Sequence, residues 1–318
     1  MAVVTRLITA SLLWLGVMWA APVWAALPRV VALDWACAET AQALGVTPVG
    51  MSQLADYRIW SGEMPMPDSV VDVGLRMESN LELIRALRPD FILISPMQQG
   101  AEPLLRRIAP VHVVAFNSEL QPDSYLQARQ ATRELARLLG REAQGESLLR
   151  ETEQELQQLR QALVGDARTM RPLYLLRFAD RRHGWMLGPN SLFGGGLAAA
   201  GIPLAWQQST NLWGFTTAPL TDLMAEPEAM IIYIAPLPFP DMDALADNQL
   251  WQHLPAVREG RVVGLPPVWL GNGLPSLRYF SRLLVAHWPQ PGPLAAVATG
   301  ADRRIAGETH RCRTIWMC

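Results

Sequence analysis

The sequence predicts an α/β protein built as two Rossmann-like lobes connected by a single long α-helix. Three observations carry this reading. Between Arg141 and Val164, Leu148, Leu149, Thr152, Leu156, Leu159 and Leu163 recur at spacings of three and four, which places them on one stripe of a helix. Leu81 to Ser95, LELIRALRPDFILIS, is echoed by Leu220 to Ile234, LTDLMAEPEAMIIYI: an amphipathic helix, a Pro-acidic turn and a short apolar strand. Ala38 to Gly50 is echoed more weakly by Phe193 to Trp206. The expected layout is a signal peptide over 1–26, an N-terminal lobe over 27–140, a connecting helix over 141–165, a C-terminal lobe over 166–288 and a tail over 289–318.

In chain order, Arg6 followed by the apolar run Leu7 to Ala21 and the small residues Ala25 and Ala26 has the form of a cleaved secretion signal. A retained membrane anchor is the competing reading, but the run is short for a span and lacks a stop-transfer cluster. No cysteine stands at the cleavage site, which argues against a lipoprotein, so the mature protein is expected to be soluble and outside the cytoplasm. The 318 residues, half of them apolar, suffice for two cores. A formal charge of −2, with arginine as the source of every non-histidine cation, argues against nucleic acid as a partner.

Arg29 to Leu33 reads as a buried strand, Asp34-Trp35 opens a helix through Leu44, and Gly45 stops it. Asp56-Tyr57-Arg58-Ile59-Trp60 precedes a Pro-rich loop, and Val70 to Val73 reads as a strand running into Gly74-Leu75-Arg76. Ser79-Asn80-Leu81-Glu82 has the form of a capping box. Arg76 therefore lies between a strand end and a helix start, the edge where open α/β sheets bind ligands. In the connecting helix, Glu146 and Arg150 form an i,i+4 pair, and Gly165-Asp166 is the expected stop. Beyond it, Leu173 to Phe178 is a strand and Gly188-Pro189-Asn190-Ser191 a turn into a helix. Thr210 to Phe215 is an aromatic loop, Pro267-Val268-Trp269 follows a strand end, and Ser276 to His287 is the last helix. The Pro, Gly, Ala and Arg-rich tail carries no periodicity.

Cys312 and Cys318 could close a small loop in an oxidising compartment, far from Cys37; His310 with these two makes a weak metal candidate on a tail. His112, His183, His253 and His287 are scattered and form no ligand pair at helical spacing.

Several separate motifs in one order give the chain a family resemblance. They are Pro67-Asp68-Ser69-Val70 with Asp72 to Arg76, Asn80 to Leu83, Gly188 to Phe193, Thr210 to Gly214, Asp241 to Leu245 and Val268-Trp269. From about Arg29 to Leu284 the chain resembles the periplasmic hydroxamate siderophore-binding (ferrichrome-binding) proteins of the helical-backbone, class III solute-binding family. The resemblance implies a shallow ligand cleft between the lobes, a ferric siderophore as ligand, delivery to an inner-membrane ABC permease, a monomer and no catalysis. It implies no intrinsic cofactor: Fe(III) arrives inside the siderophore.

The family's hydroxamate-binding arginine falls on Arg76, and its guanidinium fork suits the electron-rich oxygens of an iron hydroxamate. The competing reading is a structural ion pair with Asp72 or Glu78. Trp35, Trp60, Trp213 and Trp269 match positions that face the cleft, with burial in the core as the alternative for each. Two family tyrosines are replaced, by Gln98 and Gly271, which implies a roomier pocket and a preferred ligand other than ferrichrome. Glu82 and Asp222 match the acidic residues, one per lobe, that engage permease arginines; helix-start electrostatics would explain them equally. Other chelates, haem or a corrinoid remain open on the same fold. A secreted hydrolase lacks its G-x-S-x-G elbow, and a zinc or manganese receptor lacks its ligand cluster.

Overall fold

The computed structural model describes residues 27–61, 66–118, 123–164, 171–238, 245, 247–271 and 273–288. In the first lobe, strands β1 (Val30–Ala32), β2 (Gly50–Met51), β3 (Val71–Asp72), β4 (Phe91–Ile94) and β5 (Val111–Val113) form a parallel sheet in the order β3-β2-β1-β4-β5. Val30, Val31, Ala32, Ile92, Leu93 and Ile94 are all buried, as expected of central strands covered on both faces. Around them lie α1 (Trp35–Ala43), α2 (Leu54–Trp60), α3 (Leu81–Ala86), a 3₁₀ turn over Pro96–Ala101 and α4 (Glu102–Leu105). The Asp34 carboxylate caps α1 by accepting from the N–H groups of Ala36 and Cys37, and Gly45 leaves it at φ +82°.

Helices α5 (Ser124–Leu138) and α6 (Glu142–Val164) join the lobes. The six residues of the expected stripe on α6 are all buried. Thr152 fits among leucines because its hydroxyl donates to the carbonyl of Leu148 at 2.6 Å. Glu146 receives Arg133 of α5 at 2.8 Å, a partner that periodicity within one helix does not reveal; that bond, with the charge of the expected Arg150 beside it, holds the carboxyl below its usual pKa. The stop at Gly165-Asp166, the signal segment, most of the Asp241 to Leu245 motif and the cysteine-bearing tail lie outside the described residues.

The second lobe carries β6 (Leu173–Phe178), β7 (His183–Leu187), β8 (Phe215–Pro219), β9 (Met230–Ile234) and β10 (Val262–Leu265) in the order β10-β9-β6-β7-β8. Strands β6, β9 and β10 run parallel, whereas β7 is antiparallel to both neighbours. The two lobes are thus similar in plan only up to this β6-β7-β8 meander. The remaining helices are α7 (Leu192–Ala199), α8 (Gln249–Gln252), α9 (Pro255–Arg258) and α10 (Leu274–His287). Leu220–Met224, expected as an amphipathic α-helix, is a 3₁₀ turn. Pro219 stands at its N-cap position without a side-chain capping bond, and its buried Leu220 and Leu223 are three residues apart, the repeat that a 3₁₀ helix aligns on one face.

One apolar core continues across both lobes, from Trp35 and Ala38 of α1 through Leu148, Leu156 and Leu159 of α6 to Leu277, Phe280 and Trp269. Arg278 of α10 binds Glu151 and Glu155 of α6, each at 2.7 Å, and Ser276 reaches Glu39 of α1. Bending this frame would break backbone hydrogen bonds in α6 and open the shared core. Scattering curves with and without a ferric trihydroxamate should therefore nearly superimpose; a clear fall in radius of gyration would contradict a rigid connector.

Candidate ligand-binding site

The site begins with the tight loop after β3. The Asp72 carboxylate accepts from the N–H of Gly74 at 2.9 Å and of Leu54 at 3.0 Å, so it serves the backbone and is not the partner of Arg76. A Gly74–Ser79 bridge closes the loop, and the Ser79 hydroxyl donates to the carbonyl of Leu75 at 3.0 Å. The expected capping box is consequently displaced: Asn80 caps α3 by accepting from the N–H of Leu83, because the Ser79 hydroxyl is engaged within the loop.

Arg76 projects from this loop over two indoles. Its guanidinium carbon lies 4.7 Å from the ring centre of Trp35 in one lobe and 5.6 Å from that of Trp269 in the other. Nε donates to Oε1 of Gln53 at 3.0 Å, and Gln53 is itself tied to Asp56 at 2.9 Å. Burial pulls the Arg76 pKa down while Asp34 and Asp56 pull it up; an arginine in this position stays charged. Among the described residues its terminal nitrogens have no hydrogen-bond or ion-pair partner, so the donor fork is available. A concavity of about 360 Å³ adjoins the loop, lined by Gln53, Asp56, Asp72, Gly74, Leu75 and Asn80.

The four tryptophans separate into two kinds. Trp35 and Trp269 are 0% and 4% exposed, with centroids 4.5 Å apart, and belong to the continuous core. They do not lie open to a cleft as expected: Trp35 is covered by Tyr57 of its own lobe and by Trp269 of the other, and the two indoles together lie beneath Arg76. Trp60 and Trp213 are partly exposed at the junction. The N–H groups of Trp213 and Phe215 bond to Oδ1 of Asn211, and the indole lies against Phe215. Asn117 donates to the carbonyl of Leu212 at 3.1 Å, linking this loop to the first lobe. Gly214, at φ +79°, approaches Ser191 so closely that a Cβ would fall 2.3 Å from its Cα.

The two tyrosine replacements do not enlarge a pocket in this structure. Gln98 is 3% exposed; its amide donates to the carbonyls of Leu33 and Arg76, and its oxygen accepts from the N–H and hydroxyl of Ser95. It supports the Arg76 loop from beneath, and its short amide fits there because the backbone meets both its donor and its acceptor. At Gly271 a Cβ would lie 1.9 Å from Nε1 of Trp269, so the indole fills the adjoining space.

Three features escaped the sequence reading. Gln53, which aims Arg76, had a faint signal in its position just past β2. Leu75 and Met77, which flank Arg76 in the chain, and Met97, next to Gln98, are exposed apolar side chains whose scattered positions carry no pattern. Arg177, a lone cation inside the apolar strand LYLLRF, was visible as an anomaly and was not singled out. Glu82 is exposed in the first turn of α3, and Asp222 lies half-buried in the 3₁₀ turn of the other lobe. Among the described residues no group of three or more His, Cys, Asp or Glu is placed to hold a metal ion.

Two α/β lobes on one rigid helix, with a cationic fork and aromatic surfaces at their junction, define the class III solute-binding architecture. The chain belongs to the periplasmic binding protein family, whose pattern it matches over residues 30–268. It is 39% identical over 256 residues to the iron(3+)-hydroxamate-binding protein FhuD of Escherichia coli, covering 80% of this chain and 85% of that protein. It is 28% identical over 262 residues to the achromobactin-binding periplasmic protein of Dickeya dadantii, covering 77% and 79%. The Vibrio cholerae siderophore-binding protein FhuD, solved with Fe3+-Desferal, superimposes with a TM-score of 0.77 at 32% identity, covering 82% of this chain and 97% of that one.

Proposed function

We propose that this chain is a non-catalytic periplasmic receptor that captures ferric hydroxamate-type siderophores and delivers them to an ABC importer permease. The observation that carries the reading is the Arg76 fork, seated on Trp35 and Trp269 with its terminal nitrogens unclaimed among the described residues. Hydroxamate oxygens bound to iron offer the electron-rich acceptors that such a fork fits, and Leu75, Met77 and Met97 offer apolar surface to the siderophore body. The activities that the names of its relatives state support the same reading. Residues 1–26 would be removed on export, leaving a monomer of two lobes, 27–140 and 166–288, about the 141–165 connector.

Iron should bind only as a preformed chelate, since the siderophore completes its coordination. Equilibrium dialysis against ferric citrate and against a ferric trihydroxamate distinguishes the cases: the trihydroxamate should be retained alone. Stoichiometric retention of iron without siderophore, surviving chelator washes, would refute the reading.

Glu82 and Asp222, one on each lobe and both in the first turn after a strand, are the proposed contacts for permease arginines. Glu82→Arg with Asp222→Arg should leave siderophore affinity unchanged while abolishing siderophore-dependent uptake. Normal uptake by the double variant would remove the docking role.

A further inference from the structure

Arg177 is 1% exposed in the middle of the second lobe, near the C-terminal end of β6. Its Nη2 donates to the carbonyls of Ala235 at 3.0 Å and Val268 at 2.9 Å, the chain just past the ends of β9 and β10. This is the sheet edge where open α/β folds receive ligands. Among the described residues its Nε and Nη1 have no hydrogen-bond partner, and no carboxylate forms an ion pair with it. Burial lowers its pKa to about 9, so the side chain is still a cation at neutral pH. A buried charge without a counterion is costly, and a well-packed apolar side chain would commonly be more stable in its place. Among the described residues the aromatic cover over this guanidinium is Trp60, whose ring centre lies 4.5 Å from its Cζ. Trp60 comes from the opposite lobe, is partly exposed, and leaves its own indole N–H unpartnered among the described residues. Trp60 therefore covers a guanidinium whose Nε and Nη1 donors are unused, at the junction that Arg76 also faces.

We propose that Arg177, covered by Trp60, is a second cationic contact that makes this protein favour ferric chelates of net negative charge, those in which an α-hydroxycarboxylate replaces one hydroxamate. The inference rests on the siderophore-binding reading and specifies its ligand class. Three monoanionic hydroxamates cancel the charge of Fe(III), so a neutral trihydroxamate gains little from a second guanidinium. An α-hydroxycarboxylate binds iron as a dianion and leaves the complex with a net negative charge. Displacement of the Trp60 ring would bring that charge against the idle Nε and Nη1 donors, with Arg76 on the other lobe taking the remaining hydroxamate oxygens.

The test is a pair of fluorescence titrations, one with a neutral ferric trihydroxamate and one with a synthetic ferric citrate-dihydroxamate whose iron is held by two hydroxamates and the citrate hydroxycarboxylate. The wild-type protein should bind the anionic chelate at least about tenfold more tightly. Arg177→Gln should abolish that preference while leaving trihydroxamate affinity within about threefold, and Arg177→Lys should keep part of it. A wild-type ratio at or below one overturns the proposal. So does an equal loss for both chelates in Arg177→Gln, which would assign Arg177 to holding the Ala235 and Val268 loops. If the glutamine variant does not fold, Arg177→Lys decides, an unchanged ratio counting against the proposal. Failure of the wild type to bind either chelate would instead refute the siderophore reading itself.

Discussion

Arg76→Ala is expected to weaken binding of a ferric hydroxamate by about tenfold to a hundredfold, the equivalent of about 1.5 to 3 kcal/mol for a charge-assisted hydrogen bond in a partly desolvated site. The geometry supports the upper part of that range. Gln53 fixes Nε, the two indoles fix the plane, and the remaining donors point away from any described partner, so little ordering is left to be done on binding. Arg76→Lys should restore only part of the affinity, because an ammonium keeps the charge without the planar fork. The alanine variant also removes a cation from the faces of Trp35 and Trp269, so melts of the unliganded protein must accompany the titration. Arg58→Ala serves as the control: Arg58 pairs with Asp68 at 2.9 Å on the surface and should leave affinity near wild type. Full affinity in Arg76→Ala with reduced affinity in Arg58→Ala would relocate the site.

The second large effect is on stability, at Glu39. This carboxyl is buried between the lobes, receives the Ser276 hydroxyl at 3.0 and 2.8 Å, and abuts Gly273, where an added Cβ would fall 1.8 Å from Oε1. Burial raises its pKa to about 8; the Ser276 hydrogen bond opposes the shift and Asp34 adds to it. The folded state therefore holds a proton that the unfolded chain releases above its ordinary value of 4.5. Below that value the group costs nothing relative to the unfolded chain, and its penalty grows as pH rises until the folded carboxyl ionises near 8. At about 1.4 kcal/mol per pH unit the penalty near neutrality is roughly 3 kcal/mol. Glu39→Gln keeps the shape and a hydrogen bond to Ser276 without that penalty. The variant should melt with the wild type in acid and increasingly above it toward pH 8. A wild type that is the more stable form at pH 8 would show that Glu39 is ionised and paired in the folded protein.

The connector was legible because one helix face meets one core: six positions at helical spacing are six buried positions. The turn before α7 was equally plain, since Ser191 caps the helix by accepting from Gly194 at 2.9 Å, a local interaction that local sequence encodes. What was not legible depends on the other lobe. Nothing near Trp35 says that Trp269 will cover it, or near Glu146 that Arg133 will reach it. Strand β7 was missed because HGWML lacks a clear alternation and takes its place by pairing on both sides, with β6 and β8. For the site, the motif around Gly74-Leu75-Arg76 located the cation, whereas its aim depends on Gln53, whose φ of +51° places the amide under Arg76. The role of Gln98 was hidden because its partners, the carbonyls of Leu33 and Arg76, are distant in the chain.

That the Arg76 fork at the lobe junction is fitted to iron-bound hydroxamate oxygens can be read by titrating the intact protein with one trihydroxamate in iron-loaded and iron-free forms while following tryptophan fluorescence. The iron-loaded form should quench saturably at one equivalent, and the iron-free form should quench weakly and without saturation. Equal binding of both forms, or no saturable response to the ferric complex, would contradict it.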